Sequence, residues 1–140
     1  MKTLAIDFGE RRVGVAISDP SGRISLPLST LERHSDSQVI DELAKIVSDR
    51  RVELIVIGEP RRLDGSRGEA AARVASFARK LQGATALPYL LVDETLTSRE
   101  AEQRLRDAGI DPRKAPEKVD ALAAQILLDE VLQQRLTDDR

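Results

Sequence analysis

The segment LAIDFGERRVGVAISD, residues 4–19, contains two apolar runs joined by a short charged segment around Gly9. Two such runs around a short glycine-containing loop predict a β-hairpin. The first run ends at Asp7, and burying a carboxylate there is costly unless it is paired or binds a metal. Asp7 is therefore either a turn residue that bonds to its own backbone or a metal ligand.

The composition narrows the kinds of site that the chain can build. The 140 residues fit one domain, which we expect over residues 1–136, with a disordered tail at 137–140. The absence of cysteine and the single His34 disfavour thiolate zinc sites and histidine-dependent catalysis. A metal would have to bind carboxylates, which favours Mg²⁺ or Mn²⁺. No signal peptide or long apolar run is present, so we expect a cytoplasmic protein with no membrane partner.

The remaining apolar runs and turns predict the order βββ-α-β-α-β-α-α. We expect strands over residues 2–6, 12–18, 24–31, 52–57 and 89–92, with Pro27 placing the third strand at the sheet edge. Capping pairs starting at Ser35, Ser66 and Thr97 predict the starts of the first three helices, and Pro116 the start of the last. The fold class is α/β, a five-stranded mixed sheet with helices on both faces. Right-handed crossovers place the fourth strand beside the first and the fifth beside the fourth.

Acidic residues follow three of the predicted strands. Asp7 ends the first, Glu59 follows the fourth, and Asp93 and Glu94 follow the fifth. Neighbouring strands would bring these carboxylates to one edge of the sheet. Asp120 lies on or beside the apolar face of the last helix, where it either points toward this edge or interacts with the helix dipole. Together, the acids favour a shared site.

Carboxylates grouped around one point repel one another unless cations bind. Two divalent metals about 3.5–4 Å apart would relieve that repulsion and support attack on a phosphodiester. A nucleic-acid partner is consistent with local basic residues, although the net charge of −2 argues weakly against it. In a chain that is one-third charged, the same residues could also be a solvated surface. The basic residues in question are Arg11, Arg12, Arg61, Arg62, Arg67, Arg113, Lys114 and Lys118.

Four segments together resemble the YqgF family, the RuvX-type Holliday junction resolvases that are also described as pre-16S rRNA nucleases. They are DFGERRVGVAISDP (7–20), IVIGEPRRLDGSRG (55–68), VDETLTSREAE (92–102) and VDALAAQILLDEVL (119–132), and the resemblance covers almost the whole chain. It implies an RNase H-like fold and a metal-dependent nuclease site. By position, Asp7, Glu94 and Asp120 would hold the metal, and Asp93 could exchange roles with Glu94.

Two positions depart from the family pattern. Thr95 stands where the family usually has Arg, which removes a basic group that Arg99 could replace one helical turn later. Glu59 stands where an apolar residue is usual. The related RuvC resolvases carry an acid near the end of the corresponding strand, so Glu59 is either a fourth ligand or a solvent-facing loop residue. We favour the solvent-facing interpretation.

The resemblance therefore implies a hydrolase that processes the 5′ end of pre-16S rRNA in ribosome biogenesis, with structured RNA as its partner. The alternatives are a nuclease that resolves branched DNA, and a nucleic-acid-binding module without turnover. Nucleotide binding is disfavoured, because actin-like and sugar kinases need two lobes and this chain has room for one. The protein would be a monomer or a homodimer.

Overall fold

The computed structural model describes residues 1–60, 64, 68–94 and 96–138, and it has the predicted element order. The strands form one sheet in the order β3-β2-β1-β4-β5. Its elements are β1 (Thr3–Phe8), β2 (Arg12–Ser18), β3 (Ser25–Glu32), α1 (Asp36–Arg50), β4 (Leu54–Glu59), α2 (Glu69–Thr85), β5 (Tyr89–Asp93), α3 (Thr97–Asp107), a 3₁₀ helix (Pro112–Lys114) and α4 (Pro116–Asp138).

The strand pairing confirms the predicted topology. β1 pairs antiparallel with β2, placing Asp7 opposite Gly14, and β1 pairs parallel with β4. β5 extends the sheet beyond β4, as the right-handed crossovers required. Pro27 lies in β3 at the opposite edge, where its missing N–H removes no bond from a central ladder.

Side-chain alternation divides the buried residues between the two faces of the sheet. Ile6 and Ile57 point toward α1 and α2, where Phe77 is fully buried. Ala5 and Val56 point the other way, into a core that is completed by α4. Burying one such large apolar side chain contributes about 1.5–3 kcal/mol, so both faces contribute substantially to stability. Asp7 follows Ala5 by two positions and therefore belongs to the α4 face.

The first helix starts as the sequence predicts. Ser35 Oγ accepts a hydrogen bond from the Gln38 backbone N–H at 3.1 Å, and Gln38 Oε1 accepts one from the Ser35 N–H at 3.3 Å. Both donors would otherwise be unpaired at the helix start. This reciprocal pair is the capping box expected at Ser35.

Of the other two predicted capping boxes, the one at Thr97 is wrong. Ser66, which starts the other, lies outside the described residues, and Gly68 is the N-cap of α2. Thr97 is the first residue of α3 rather than its cap. Its hydroxyl donates backward to the Glu94 carbonyl at 2.9 Å, and Leu96 takes the cap position with a left-handed φ of 73°.

The C-terminal helix is longer than expected. Thr137 and Asp138 belong to α4, so the predicted disordered tail is wrong for these two residues, and 139–140 lie outside the described residues. The segment before α4 contains the 3₁₀ helix, which is capped by Asp111 through the Arg113 N–H. Throughout the described residues, α4 included, we find no helix both long and apolar enough to cross a membrane.

Candidate active site

Asp7 and Glu94 form the centre of the candidate site. Asp7 lies near the end of β1, and Glu94 directly follows β5. Burial and the hydrogen-bonded Asp7 carboxylate raise the pKa of Glu94 to about 9. Oε2 of Glu94 is buried, and no hydrogen-bond donor of the described residues reaches it. Near neutral pH Glu94 therefore keeps its proton unless a cation compensates the charge of the site.

Asp120 reaches the same site because α4 lies directly on β2. Gly14, opposite Asp7, has no side chain, and a Cβ at this position would overlap the backbone carbonyl of Asp120. Burial raises the pKa of the Asp120 carboxyl, while its ion pair with Arg12 opposes that shift. The third predicted acid is thus held beside the first by direct packing of the helix backbone on the sheet.

A second glycine makes room for Glu94. A Cβ at Gly58 would overlap the carboxyl of Glu94, and Gly58 follows Val56 on the α4 face of β4. Gly14 and Gly58 therefore lie on the two strands beside Asp7 and leave space for two acids. A glycine inside an apolar strand is a sequence signal for such close approach, although neither glycine was among the residues predicted to build the site.

Arg12 contacts an acid of the site. Its Nε lies 2.6 Å from Oδ2 of Asp120, and the two side chains are 39% and 20% exposed. In this structure Arg12 is therefore paired with Asp120, and its contact with nucleic acid stays a prediction. Among the described residues no group of three or more acids or histidines is arranged to hold a metal. The Arg12 contact is consistent with this finding, because it engages the third acid.

The fourth candidate ligand, Glu59, is in a different environment from the one we favoured. Its side chain is 1% exposed, so the interpretation as a solvent-facing loop residue is wrong. β4 continues through Glu59 because its backbone pairs with Asp93 of β5. Alternation after Ile57 places Glu59 on the α1 and α2 face, opposite to Asp7. Asp93 is exposed, and it is Glu94 that lies beside Asp7.

The predicted basic residues fall into two groups besides Arg12. The members of the first group are exposed and lie in or near the segments that carry the three acids: Arg11, Arg99, Arg113, Lys114 and Lys118. The other three, Arg61, Arg62 and Arg67, lie outside the described residues, as does Thr95.

A cleft of about 250 Å³ lies beside Glu94, and the sequence analysis did not anticipate it. Its lining includes Phe8 and two arginines, Arg33 and Arg73. Phe8 stacks on Phe77 with ring centroids 4.3 Å apart, and the Arg33 guanidinium lies 5.1 Å from the Phe8 ring centre. The cleft thus combines an apolar wall with two arginines that are both paired with carboxylates, Arg33 with Asp36 and Arg73 with Glu10.

We predict that replacing Glu94 with Gln changes how stability depends on pH. The unfolded chain loses the Glu94 proton near its ordinary pKa of 4.5, whereas the folded protein keeps it up to a pKa of about 9. The folded state therefore binds more protons between these values, and this contribution to stability is lost as pH rises. Glu94→Gln removes this loss of stability, which in wild type amounts to at most about 1.4 kcal/mol per pH unit.

Urea unfolding between about pH 5 and pH 8 measures this effect. The stability of Glu94→Gln relative to wild type should increase with pH. Glu42→Gln, at an exposed position of α1, is the matched control and should show no such trend. An equal pH dependence in wild type and Glu94→Gln would contradict the raised pKa.

Comparison with known proteins supports the resemblance drawn from the sequence. A family model described as "RuvX: Holliday junction resolvase" matches residues 1–134. A protein of Chloroflexus aurantiacus named "Putative pre-16S rRNA nuclease" is 42% identical over 132 residues, which cover 94% of this chain and 86% of that protein. A protein of the same name from Syntrophus aciditrophicus is 41% identical over 143 residues, covering 99% and 95% of the two chains.

Solved structures with the same fold include two Holliday junction complexes. Thermus thermophilus RuvC with its Holliday junction substrate has a TM-score of 0.63 at 15% identity, covering 98% of this chain and 96% of RuvC. The fowlpox virus resolvase with junction DNA has a TM-score of 0.61 at 10% identity, covering 97% and 99%. The fold is therefore that of the RuvC-type, RNase H-like resolvases. With the family match over nearly its full length, this chain belongs to the RuvX (YqgF) family.

Proposed function

We propose that this protein is a divalent-metal-dependent endonuclease that hydrolyses phosphodiester bonds near the 5′ end of pre-16S rRNA. The observation that carries the proposal is the half-buried pair of Asp7 and Glu94, with Asp120 beside it at the same edge of the sheet. The curated relatives named for pre-16S rRNA support the substrate. The family match supports the reaction class.

The three acids fit a hard divalent cation such as Mg²⁺ or Mn²⁺. All three acids supply carboxylate oxygens, the ligands that these ions prefer. The buried Oε2 of Glu94, which no donor of the described residues reaches, is a free ligand position. A bound cation would lower the pKa of an attacking water and stabilise charge on the phosphodiester. Asp7, Glu94 and Asp120 would hold it.

The protein's own residues fix the positions of the acids and supply positive charge that can attract the substrate. Asp7 is fixed by strand pairing, and Gly14 fixes the backbone of Asp120. Glu94 must release its proton to become a ligand, so metal binding and proton release are linked at this position. The exposed side chains Arg11 and Lys118 can attract phosphate groups toward the acids despite the negative net charge.

Calorimetric titration with Mn²⁺ tests the metal site directly. We expect wild type to bind Mn²⁺, and the double variant Asp7→Asn, Asp120→Asn to lose that binding because two ligands become neutral amides. Asp41→Asn, Asp49→Asn makes the same charge change at exposed positions of α1 and should bind like wild type. Unchanged binding in the Asp7, Asp120 variant would show that these acids do not form the site.

A second candidate substrate is branched DNA. The favouring observation is that RuvC and the fowlpox resolvase, which share this fold, were solved with Holliday junctions. Cleavage of a pre-16S rRNA fragment and of a four-way DNA junction, measured side by side in Mg²⁺ and Mn²⁺, separates the two substrates. Binding of either without cleavage would instead indicate a module that recognises nucleic acid and does not hydrolyse it.

A further inference from the structure

Arg12 joins two parts of the chain that are distant in sequence. It begins β2 and contacts Asp120 in α4, 108 residues later, through Nε and Oδ2 at 2.6 Å. Charge-assisted contacts of this length are among the stronger hydrogen bonds in proteins. Asp120 is only 20% exposed, so the carboxylate is the more buried partner of the pair.

The backbones on both sides of this ion pair are held in place independently of it. Gly14, two residues after Arg12, packs against the Asp120 carbonyl and fixes the approach of α4 to the sheet. The Arg12 side chain is 39% exposed and has a long flexible stem. The guanidinium can therefore leave Asp120 by rotating its side chain, without movement of the helix.

A divalent cation and the Arg12 guanidinium compete for the same carboxylate. Both are positively charged, and at close range in a half-buried site they repel each other strongly. If Asp120 is a ligand, as the proposed function requires, its contact with Arg12 must weaken when the cation binds. The absence of a ready-made three-acid group among the described residues agrees with a site whose third acid is paired in this way.

We propose that Arg12 is a positioning residue that holds the Asp120 carboxylate in the metal-free protein and releases it when a divalent cation binds. The exchange frees the guanidinium at the edge of the sheet where a substrate phosphate would bind. Arg12 thus lowers the affinity for the metal and makes a phosphate-binding group available once the metal is in place. This inference rests on the proposed function, since it assumes that Asp120 is a metal ligand.

Mn²⁺ calorimetry on the full chain tests the exchange. Arg12→Gln should bind Mn²⁺ about three- to tenfold more tightly than wild type, because the competing partly buried ion pair is gone. Arg11→Gln removes the same charge from the neighbouring exposed position and should change the affinity less than about twofold. In an Asp120→Asn background, Arg12→Gln should no longer tighten Mn²⁺ binding, because the competition needs the carboxylate.

Thermal unfolding gives a second readout that a purely structural ion pair would not reproduce. Arg12→Gln should lower the Tm of the metal-free protein but not that of the Mn²⁺-saturated protein, where the contact is already broken. If Arg12→Gln does not fold, Arg12→Lys replaces it. Lysine keeps the charge and loses the Nε contact, so it should tighten Mn²⁺ binding by a smaller factor.

The outcomes separate this inference from the proposed function. A folded Arg12 variant with unchanged or weaker Mn²⁺ affinity, while Asp7→Asn, Asp120→Asn loses Mn²⁺ binding, overturns the exchange alone. Absence of Mn²⁺ binding to wild type overturns both proposals. An equal loss of Tm with and without Mn²⁺ would identify the Arg12 contact as a structural tie only.

Discussion

Asp7→Asn is expected to lower the cleavage rate about a thousandfold, because a metal ligand supplies several kcal/mol of transition-state stabilisation. The same change should leave the fold intact and its stability equal or higher. The Asn side chain is nearly the same size as Asp, and its amide can donate to the carboxyl of Glu94, whose pKa the Asp7 carboxylate helps to raise. Single-turnover cleavage and thermal unfolding of one protein preparation measure the two effects together.

Glu10→Gln provides the matched control for Asp7→Asn. Glu10 lies at the tip of the same hairpin, and its side chain is 83% exposed, so the substitution removes one negative charge outside the acid group. We expect cleavage close to that of wild type. If Asp7→Asn cleaved as fast as Glu10→Gln, Asp7 would have no part in the chemistry.

Gly14→Ala is expected to destabilise the protein by about 3 kcal/mol, the upper range for overpacking. The added Cβ would overlap the Asp120 carbonyl, which is backbone and can yield only if α4 moves away from β2. That movement displaces Asp120 from Asp7, so Mn²⁺ affinity should fall together with stability. Urea unfolding and calorimetry measure the two losses.

Gly83→Ala is the matched substitution, and we expect it to increase stability where Gly14→Ala decreases it. Gly83 lies within α2, and a Cβ there would meet nothing within 4 Å. Alanine should therefore stabilise the protein by about 0.5–1 kcal/mol, because it loses less conformational freedom on folding than glycine and favours the helix. Equal effects of the two substitutions would contradict the close approach of α4 at Gly14.

The sequence predicted the sheet correctly because its signals are strong and local. Long apolar runs define the strands, and handed crossovers leave few ways to order them. The convergence of Asp7 and Glu94 followed from that order alone, since both lie at strand ends on neighbouring parts of one edge. Asp120 was left open between this site and the helix dipole by its position beside the apolar face of the last helix, because its place depends on how α4 packs, and the family resemblance supported the site.

Glu59 shows where the sequence reading was wrong. The triplet of Gly58, Glu59 and Pro60 is typical of a loop, yet β4 continues through Glu59 because β5 supplies backbone partners. Arg12 shows a different limit. Its partner is 108 residues away, and no local pattern states which acid an arginine will reach. Thr97 failed as a cap because its hydroxyl bonds to the preceding turn instead.

The packing of α4 on the sheet has a consequence for folding. Asp7 belongs to β1 and Asp120 belongs to α4, so the acid set joins two elements that are far apart in sequence. Until α4 docks, Ala5 and Val56 remain uncovered, and the acid set is incomplete. A protein proposed to cut RNA with these acids would thus be unable to do so in any partly folded state that lacks a docked α4.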